Sequence, residues 1–228
     1  MFIIQDDVQL EDLSADMRVA SVLGPKAAEV LSAARLHPPE PGKVIAPRED
    51  VLLLATGAKG MPGFDLVFER NVGRELVEDL LESGAERVEA EALEVERIAS
   101  GVPFFGPDLS QEVIPLEAGL DEHVSITKGC YPGQEVVARI LNLGQVSRKL
   151  VRLEAEGAPA LEAGAHLSPE GDADGRIIGQ LTSVSHDPTS GRTVALGFVR
   201  RGSWSEGDRV VTDGDTPVAL TVHDLRPA

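Results

Sequence analysis

Apolar residues recur three and four positions apart in four segments of the first 146 residues, the spacing of helices with one buried face. The first helix is expected after Pro25, since proline suits the first helical turn. Asn71 is expected to cap the second helix and Gly84 to end it. The third is expected over residues 92–99 and the fourth over residues 132–143. The expected core positions are Ala27, Val30, Leu31 and Ala34 in the first helix, Val72, Leu76, Val77, Leu80 and Leu81 in the second, and Val136, Val137, Ile140 and Leu141 in the fourth.

Strand patterns occur in both parts of the chain. Residues 51–55 form a short apolar run that is typical of a buried strand, and residues 64–69 alternate as a half-buried strand does. After Val146 the helical spacing stops, and short β-type runs alternate with turns rich in Gly, Asp, Pro and Ser. Such a pattern predicts a small antiparallel barrel or a sandwich. The runs cover residues 149–153, 177–184, 193–199, 209–212 and 217–222.

This change of pattern predicts the domain organisation. An α+β domain is expected over residues 1–146, followed by a small antiparallel β domain, a barrel or a sandwich, over residues 147–228. The length of 228 residues suits one large domain or two small ones, at roughly 150 residues per domain. The apolar share of 42% is ordinary for a globular protein, so either arrangement can bury a core.

Charge separates the chain into regions. The 21 Lys and Arg residues against 38 Asp and Glu residues give a net charge of −17, which excludes an overall attraction to nucleic acid or anionic lipid. Between Glu75 and Glu96 nine acids face one base, Arg87, as in a solvated helical face. From His123 to Leu153 the net charge is +4. We therefore expect no nucleic acid as a primary ligand, and we expect an anionic ligand to be attracted to residues 123–153.

The single cysteine, Cys130, narrows the chemistry further. It excludes an internal disulfide, and it excludes a zinc or iron–sulfur site built from several cysteines of this chain. The five His residues lack metal-ligand spacing, so no metal site is predicted. No stretch of about 18 apolar residues is found, and the first residues carry acids where a signal peptide has bases. The expected location is the cytoplasm, without membrane association.

One segment stands out as a candidate for chemistry: Lys-Gly-Cys-Tyr-Pro-Gly-Gln-Glu over residues 128–135, the signature segment. Its two glycines permit close backbone approaches. Pro132 suits the first turn of the fourth helix, so Cys130 is expected just outside the positive end of that helix. Lys128 lies two residues away. The helix dipole and the lysine both favour a thiolate over a thiol.

Alternatives remain open for this segment. A lone cysteine is more often a small buried residue than a nucleophile. No base is supplied by the local sequence, although His123 could fold near Cys130. Glu135 could favour the helix dipole or bind a ligand, and it could pair with Arg139 four residues later.

The signature segment resembles that of the YgfZ-type folate-binding proteins, relatives of the aminomethyltransferase (T-protein) of the glycine cleavage system. The family signature reads Lys-Gly-Cys-Tyr, a variable residue, then Gly-Gln-Glu, and Pro132 takes the variable place. The resemblance covers nearly the whole chain. It continues at residues 23–27, 63–66, 101–106, 114–117, 119–120, 178–183 and 195–199.

The resemblance implies an aminomethyltransferase-like folate-binding domain followed by a β-barrel. It implies a role in assembling or repairing iron–sulfur cluster enzymes, with tetrahydrofolate or a derivative as cofactor and iron–sulfur enzymes or cluster-assembly proteins as partners. The implied catalytic residues are Cys130, as the working thiol, and Lys128. The implied folate-binding residues are Asp65, Tyr131, Gln134, Glu135 and Arg139.

The chain also departs from its relatives in two places. Family members begin with a further portion, which carries the catalytic aspartate of the aminomethyltransferases, and Met1 is expected to enter the folate-binding domain midway. Met61 stands where the transferases have a folate-contacting glutamate. We therefore expect an accessory factor rather than an aminomethyltransferase. A tetrahydrofolate-dependent aminomethyltransferase and a non-enzymatic binding module are the alternatives.

Overall fold

The computed structural model describes residues 9–56, 61–144 and 146–225, so Met1 lies outside the described residues. The chain forms two compact units, residues 1–87 and 88–228, and each is described by itself. Both contain helices and strands, which confirms the α+β class. The predicted domain boundary after residue 146 stays a prediction.

The first unit is a four-stranded antiparallel sheet with two helices. Its strands follow the spatial order β1-β4-β3-β2, and neighbouring strands are antiparallel throughout. The elements are β1 (Met17–Leu23), α1 (Ala27–Ala33), β2 (Val44–Arg48), β3 (Val51–Thr56), β4 (Gly63–Glu69) and α2 (Gly73–Glu82).

One face of this sheet forms the core with the two helices. Leu53 and Leu66 are fully buried and belong to the same apolar cluster as Leu31 of α1 and Leu76 of α2. The predicted core positions Leu31, Leu76 and Leu80 are thereby confirmed, whereas Val77 and Leu81 are only half-buried. The predicted strand at residues 51–55 does form, as β3, but it is buried on one face only, because Leu52 is 44% exposed between two buried neighbours. An antiparallel sheet that packs on one side only produces this alternation.

The ends of α2 test two sequence predictions. The N-cap residue is Val72, and no side chain caps the helix, so the prediction of Asn71 as the cap is wrong. Gly84 does end the helix, in a left-handed conformation with φ of +101°. Its N–H donates to the carbonyl of Leu81, and the next N–H donates to the carbonyl of Leu80, as in a Schellman motif.

The second unit combines two helices with a closed six-stranded antiparallel barrel. The barrel order is β10-β5-β8-β7-β6-β9, so the sandwich alternative is wrong. The elements are α3 (Ala90–Ala99), two short 3₁₀ helices (Pro115–Ala118 and Asp121–His123), α4 (Gln134–Leu143), β5 (Arg148–Glu156), β6 (His166–Pro169), β7 (Gly179–Asp187), β8 (Arg192–Arg200), β9 (Arg209–Thr212) and β10 (Ala219–His223).

The barrel closes around side chains from all six strands. One buried cluster contains a residue of each strand: Leu153, Leu167, Leu181, Val199, Val210 and Leu220. Five of the six strands overlap the predicted β-type runs, and β6 was not predicted. Because the barrel is closed, β6 pairs with both β7 and β9, and its backbone N–H and C=O groups find partners on both edges of the strand.

Helix α4 differs from its prediction at the start and along its core face. It begins at Gln134 instead of Pro132, because Gly133 takes a left-handed conformation that no helix continues through. Val137 is buried, but Val136 and Leu141 are 48% and 43% exposed, so these two are not core residues. Of the helices within the described ranges, none is both long and apolar enough to span a membrane.

Candidate functional site

The signature segment presents its cysteine to solvent. Cys130 is a free, exposed thiol, which contradicts the interpretation as a small buried residue. The Lys128 Nζ lies 4.6 Å from the centroid of the Tyr131 ring, within cation–π distance. The Tyr131 N–H donates to the Gln134 Oε1 at 3.1 Å, which ties the segment to the start of α4. Three predicted site residues, Lys128, Tyr131 and Gln134, are thus brought together beside Cys130.

The expected pair between Glu135 and Arg139 is absent. Both side chains are exposed on α4, and no ion pair joins them among the described residues. An exposed ion pair one helical turn apart stabilises a helix by only about 0.3–0.5 kcal/mol, so hydration of the two separate charges competes with it. Both charges stay available to a ligand.

Asp65 lies in the first unit, whereas the signature segment belongs to the second. It is half-buried on β4, opposite Ser21 of β1 in the strand register. The Ser21 Oγ donates to the Asp65 Oδ1 at 2.5 Å. This bond gives Asp65 a role in cross-strand pairing, and its expected contact with folate stays a prediction.

The side chains that could ligate a metal are dispersed over the described structure. Within residues 9–56, 61–144 and 146–225, no three His, Cys, Asp or Glu side chains are grouped so that they could hold a metal ion.

The second unit contains a cleft that the sequence did not predict. It lies between the loop of residues 106–113 and the barrel, and its volume is about 680 Å³, within the range of small-molecule sites. The signature segment does not line it. Its polar and aromatic lining includes Ser110, Arg148, His166, Gln180, Phe198 and Arg200.

Arg148 is the most firmly held cation of the cleft. Its Nε donates to the Glu117 Oε2 at 3.0 Å, and its guanidinium lies 4.7 Å from the centroid of the Phe198 ring. Glu117 is only 4% exposed and also accepts a hydrogen bond from the Ser147 Oγ at 3.2 Å. Because 40% of the Arg148 side chain is exposed, it can bind a carboxylate or another acceptor without leaving Glu117.

His166 is fixed at the same cleft by a carboxylate. Its ring Nδ1 lies 2.9 Å from the Asp213 Oδ2, and its backbone N–H donates to the Asp213 Oδ1 at 2.8 Å. The hydrogen bonds from the ring and the backbone of His166 hold the pKa of Asp213 below its ordinary value. The cleft therefore offers two arginines and an oriented imidazole in a strongly acidic protein.

Sequence reasoning missed this cleft, although two cues were available. Glu117 sits in an apolar run, Pro-Leu-Glu-Ala, where a carboxylate needs a partner. Arg148 belongs to the positive stretch from His123 to Leu153. Because they are 31 positions apart, the sequence gave no indication that they pair.

Comparison with known proteins supplies the family. The GCVT N-terminal domain pattern matches residues 2–128, and the glycine cleavage T-protein C-terminal barrel pattern matches residues 148–226. The chain belongs to the GCVT family. The aminomethyltransferase-like fold followed by a β-barrel is thereby confirmed.

Individual GCVT relatives agree over most of this chain. An aminomethyltransferase of Nostoc sp. is 30% identical over 202 residues, which are 86% of this chain and 52% of that protein. One of Aquifex aeolicus is 29% identical over 205 residues, 89% of this chain and 55% of that protein. The chain thus spans about half the length of the curated relatives it matches.

A solved structure of the GCVT family agrees as well. The crystal structure of glycine cleavage system aminomethyltransferase T from Bartonella henselae has a TM-score of 0.79 and 29% sequence identity. The match covers 92% of this chain and 59% of that one. These relatives share the broad family, and the narrower YgfZ type stays a prediction.

Proposed function

We propose that this GCVT family protein is a folate-binding accessory factor of the YgfZ type that acts in the assembly or repair of iron–sulfur enzymes. The observation that carries the proposal is the exposed thiol of Cys130, held within the signature segment. The proposed setting is the cytoplasm, since a single cysteine suits a reducing compartment.

The proposed role of Cys130 requires a partner. Iron–sulfur clusters are held by several thiolates, and this chain has one cysteine. Cys130 can supply one ligand or exchange with another thiol, and an iron–sulfur enzyme or a cluster-assembly protein supplies the rest. Lys128 beside Tyr131 places a positive charge next to the segment, where it favours a thiolate and attracts an acidic partner.

Tetrahydrofolate or a derivative is the proposed cofactor, and the chemistry of the cleft fits it. When bound, it would carry one-carbon units. The exposed side chain of Ile177 offers an apolar surface, and the amide of Gln180 offers hydrogen bonds to a heterocycle. Arg148 and Arg200 suit the carboxylates of a folate tail. The resemblance proposes a different set: Tyr131, Gln134, Glu135, Arg139 and Asp65.

Two arginine variants separate these two locations, and they are compared at a temperature at which circular dichroism shows both folded, because Arg148 also neutralises the buried Glu117. We expect Arg148→Met to weaken binding of 5-formyltetrahydrofolate at least about tenfold, because a charge-assisted hydrogen bond contributes about 1.5–3 kcal/mol. Arg139→Met is the control and leaves the affinity unchanged if the cleft is the site. Isothermal titration calorimetry measures both. The reverse pattern would move the site to α4, and no binding by the wild-type protein would favour the non-enzymatic module.

The role of the thiol is tested in cells that lack the native protein. We expect Cys130→Ser to abolish the rescue of cluster-dependent enzyme activity, since a hydroxyl neither ligates iron well nor exchanges with thiols. The exposed α4 variant Asn142→Ser serves as a control and retains rescue. Full rescue by Cys130→Ser would contradict the proposal.

Aminomethyl transfer is the second candidate. Curated relatives of this chain are named aminomethyltransferases, which favours this activity as directly as the signature favours the first. Purified protein can be assayed for transfer of an aminomethyl one-carbon unit to tetrahydrofolate. Aminomethyl transfer by both the wild-type protein and Cys130→Ser would show that the protein is an aminomethyltransferase and not an accessory factor.

A further inference from the structure

A buried arginine on α3 lies at the centre of the second unit. Arg97 is 3% exposed, and each of its five N–H groups has an acceptor. Burial by itself would lower the pKa of Arg97, but the hydrogen bonds and charges of Glu94 and Asp108 outweigh it and raise the pKa, so the side chain stays charged. The acceptors are both Glu94 carboxylate oxygens (2.8 and 2.5 Å), the Val102 carbonyl (2.6 Å), Asp108 Oδ2 (2.7 Å) and Ser183 Oγ (2.9 Å).

Its partner, Asp108, is completely buried and joins three parts of the unit. Besides the bond from Arg97 on α3, it accepts the N–H of Phe104 at 3.0 Å within its own loop. It also accepts the hydroxyls of Thr182 at 2.5 Å and Ser183 at 2.7 Å, both on β7. A helix, a loop and a barrel strand therefore meet at one carboxylate.

Two members of this network also line the cleft. Asp108 belongs to the loop wall and Thr182 to the barrel wall, and the bond between them joins the walls directly. A buried ion pair seldom stabilises a fold more than apolar residues of the same size would. Its advantage here is geometric, because its hydrogen bonds allow only one spacing of the two walls.

We propose that Arg97 and Asp108 are positioning residues. They hold residues 104–110, which lead into and begin the cleft loop of residues 106–113, at a fixed distance from β7 and thereby preform the cleft for its ligand. The identity of that ligand rests on the proposed function, but the positioning role does not. Hydrogen bonds weaken steeply when their distances and angles depart from the optimum, so the affinity for a ligand is sensitive to this spacing.

The test compares Asp108→Asn with Leu220→Ala. Asp108→Asn keeps the size of the side chain, but it replaces one acceptor oxygen by an amide N–H₂, which cannot accept the hydrogen bonds that Asp108 receives. The second removes a buried barrel side chain outside the cleft lining and serves as the control for lost stability. Thr182→Val, which removes one bond and leaves the ion pair intact, is a milder variant that folds if Asp108→Asn does not.

Two readouts are taken at a temperature at which circular dichroism shows every variant folded. Calorimetric titration with 5-formyltetrahydrofolate is expected to give a dissociation constant raised about tenfold or more by Asp108→Asn, about threefold by Thr182→Val, and hardly at all by Leu220→Ala. Amide hydrogen exchange in residues 104–110 is expected to accelerate in the same order.

The outcomes separate the positioning role from the proposed function. If the wild-type protein binds no folate, the ligand assignment fails and hydrogen exchange alone decides the positioning role. Unchanged exchange in residues 104–110 of Asp108→Asn would overturn it. Equal loss of affinity in Asp108→Asn and Leu220→Ala would overturn it too, since general destabilisation would then explain both.

Discussion

Single residues of this protein obtain their roles from partners that are distant in the sequence. His166 and Asp213 are 47 positions apart, and Glu117 and Arg148 are 31 positions apart. Nothing in the local sequence of His166 indicates a carboxylate partner. The signature segment is the exception, because Lys128, Tyr131 and Gln134 are close in sequence and also interact in the structure. Its place just before α4 could therefore be predicted from the sequence, whereas the pairs of side chains at the cleft could not.

The pair of His166 and Asp213 leads to a prediction about pH. A carboxyl group whose pKa is lowered on folding stabilises the protein above its ordinary pKa, and that contribution is lost as the pH falls through the folded pKa. We expect His166→Ala to raise the pKa of Asp213 towards its ordinary value, because the ring hydrogen bond, the largest cause of the lowering, is removed while the backbone hydrogen bonds remain. NMR titration of the carboxyl carbon measures this.

Glu206 provides the control for that titration. Its pKa is lowered by the backbone N–H of Asp224 and by the side chain of His223, neither of which His166→Ala removes. Its titration is expected to be the same in both proteins. An unchanged pKa of Asp213 in the variant would show that the His166 ring does not affect it.

At the scale of whole elements, the local periodicity of apolar residues was sufficient to predict a helix or strand where one face of that element is buried. Helices α1, α2 and α3 and five barrel strands were predicted from it. Strand β1 was missed because its alternation is not sustained, and β2 and β6 because they are short and contain proline. These strands form because neighbouring strands supply hydrogen-bond partners, which periodicity does not report.

The pairing of β7 with β8 leads to a second prediction. A Cβ at Gly179 would lie 2.4 Å from the carbonyl oxygen of Phe198, a backbone atom that cannot move aside. We expect Gly179→Ala to destabilise the protein by about 1–3 kcal/mol, the usual cost of overpacking. Urea unfolding followed by circular dichroism measures this cost.

Gly129 is the matched control for that substitution. No atom lies within 4 Å of the position that a Cβ would take there, and its φ is outside the left-handed region. Gly129→Ala is expected to change the free energy of unfolding by less than about 0.5 kcal/mol. Equal costs for the two substitutions would show that the close approach of β7 and β8 is not the cause.

Across the whole molecule, the net charge of −17 has two consequences. It gives the protein a repulsive field towards other anions, and it opposes its own compact state. The positive stretch from His123 to Leu153 contains the signature segment and Arg148. In the structure Arg148, Lys149 and Arg152 of this stretch pair with Glu117, Asp224 and Glu154, so the attraction for anions is stronger at the signature segment than at the cleft.

The charge predicts a dependence of stability on salt. Raising the NaCl concentration from 10 to 150 mM shortens the Debye length from about 30 Å to about 8 Å and screens the self-repulsion. We expect the Tm to rise by about 3 °C, which corresponds to roughly 1 kcal/mol for a chain of this size. Differential scanning calorimetry measures the shift. A fall in Tm would show that attractive ion pairs outweigh the repulsion.

The sequence by itself determined the α+β class, the change from helices to a β-barrel, the acidic surface and the signature segment around Cys130. Each of these depends on neighbouring residues or on composition. The tertiary structure decided that the barrel closes, that Cys130 is exposed, and that Arg97, Asp108 and Thr182 join two walls of a cleft. Those features depend on contacts between distant residues, and the free energy of such contacts exists only after the chain has brought them together.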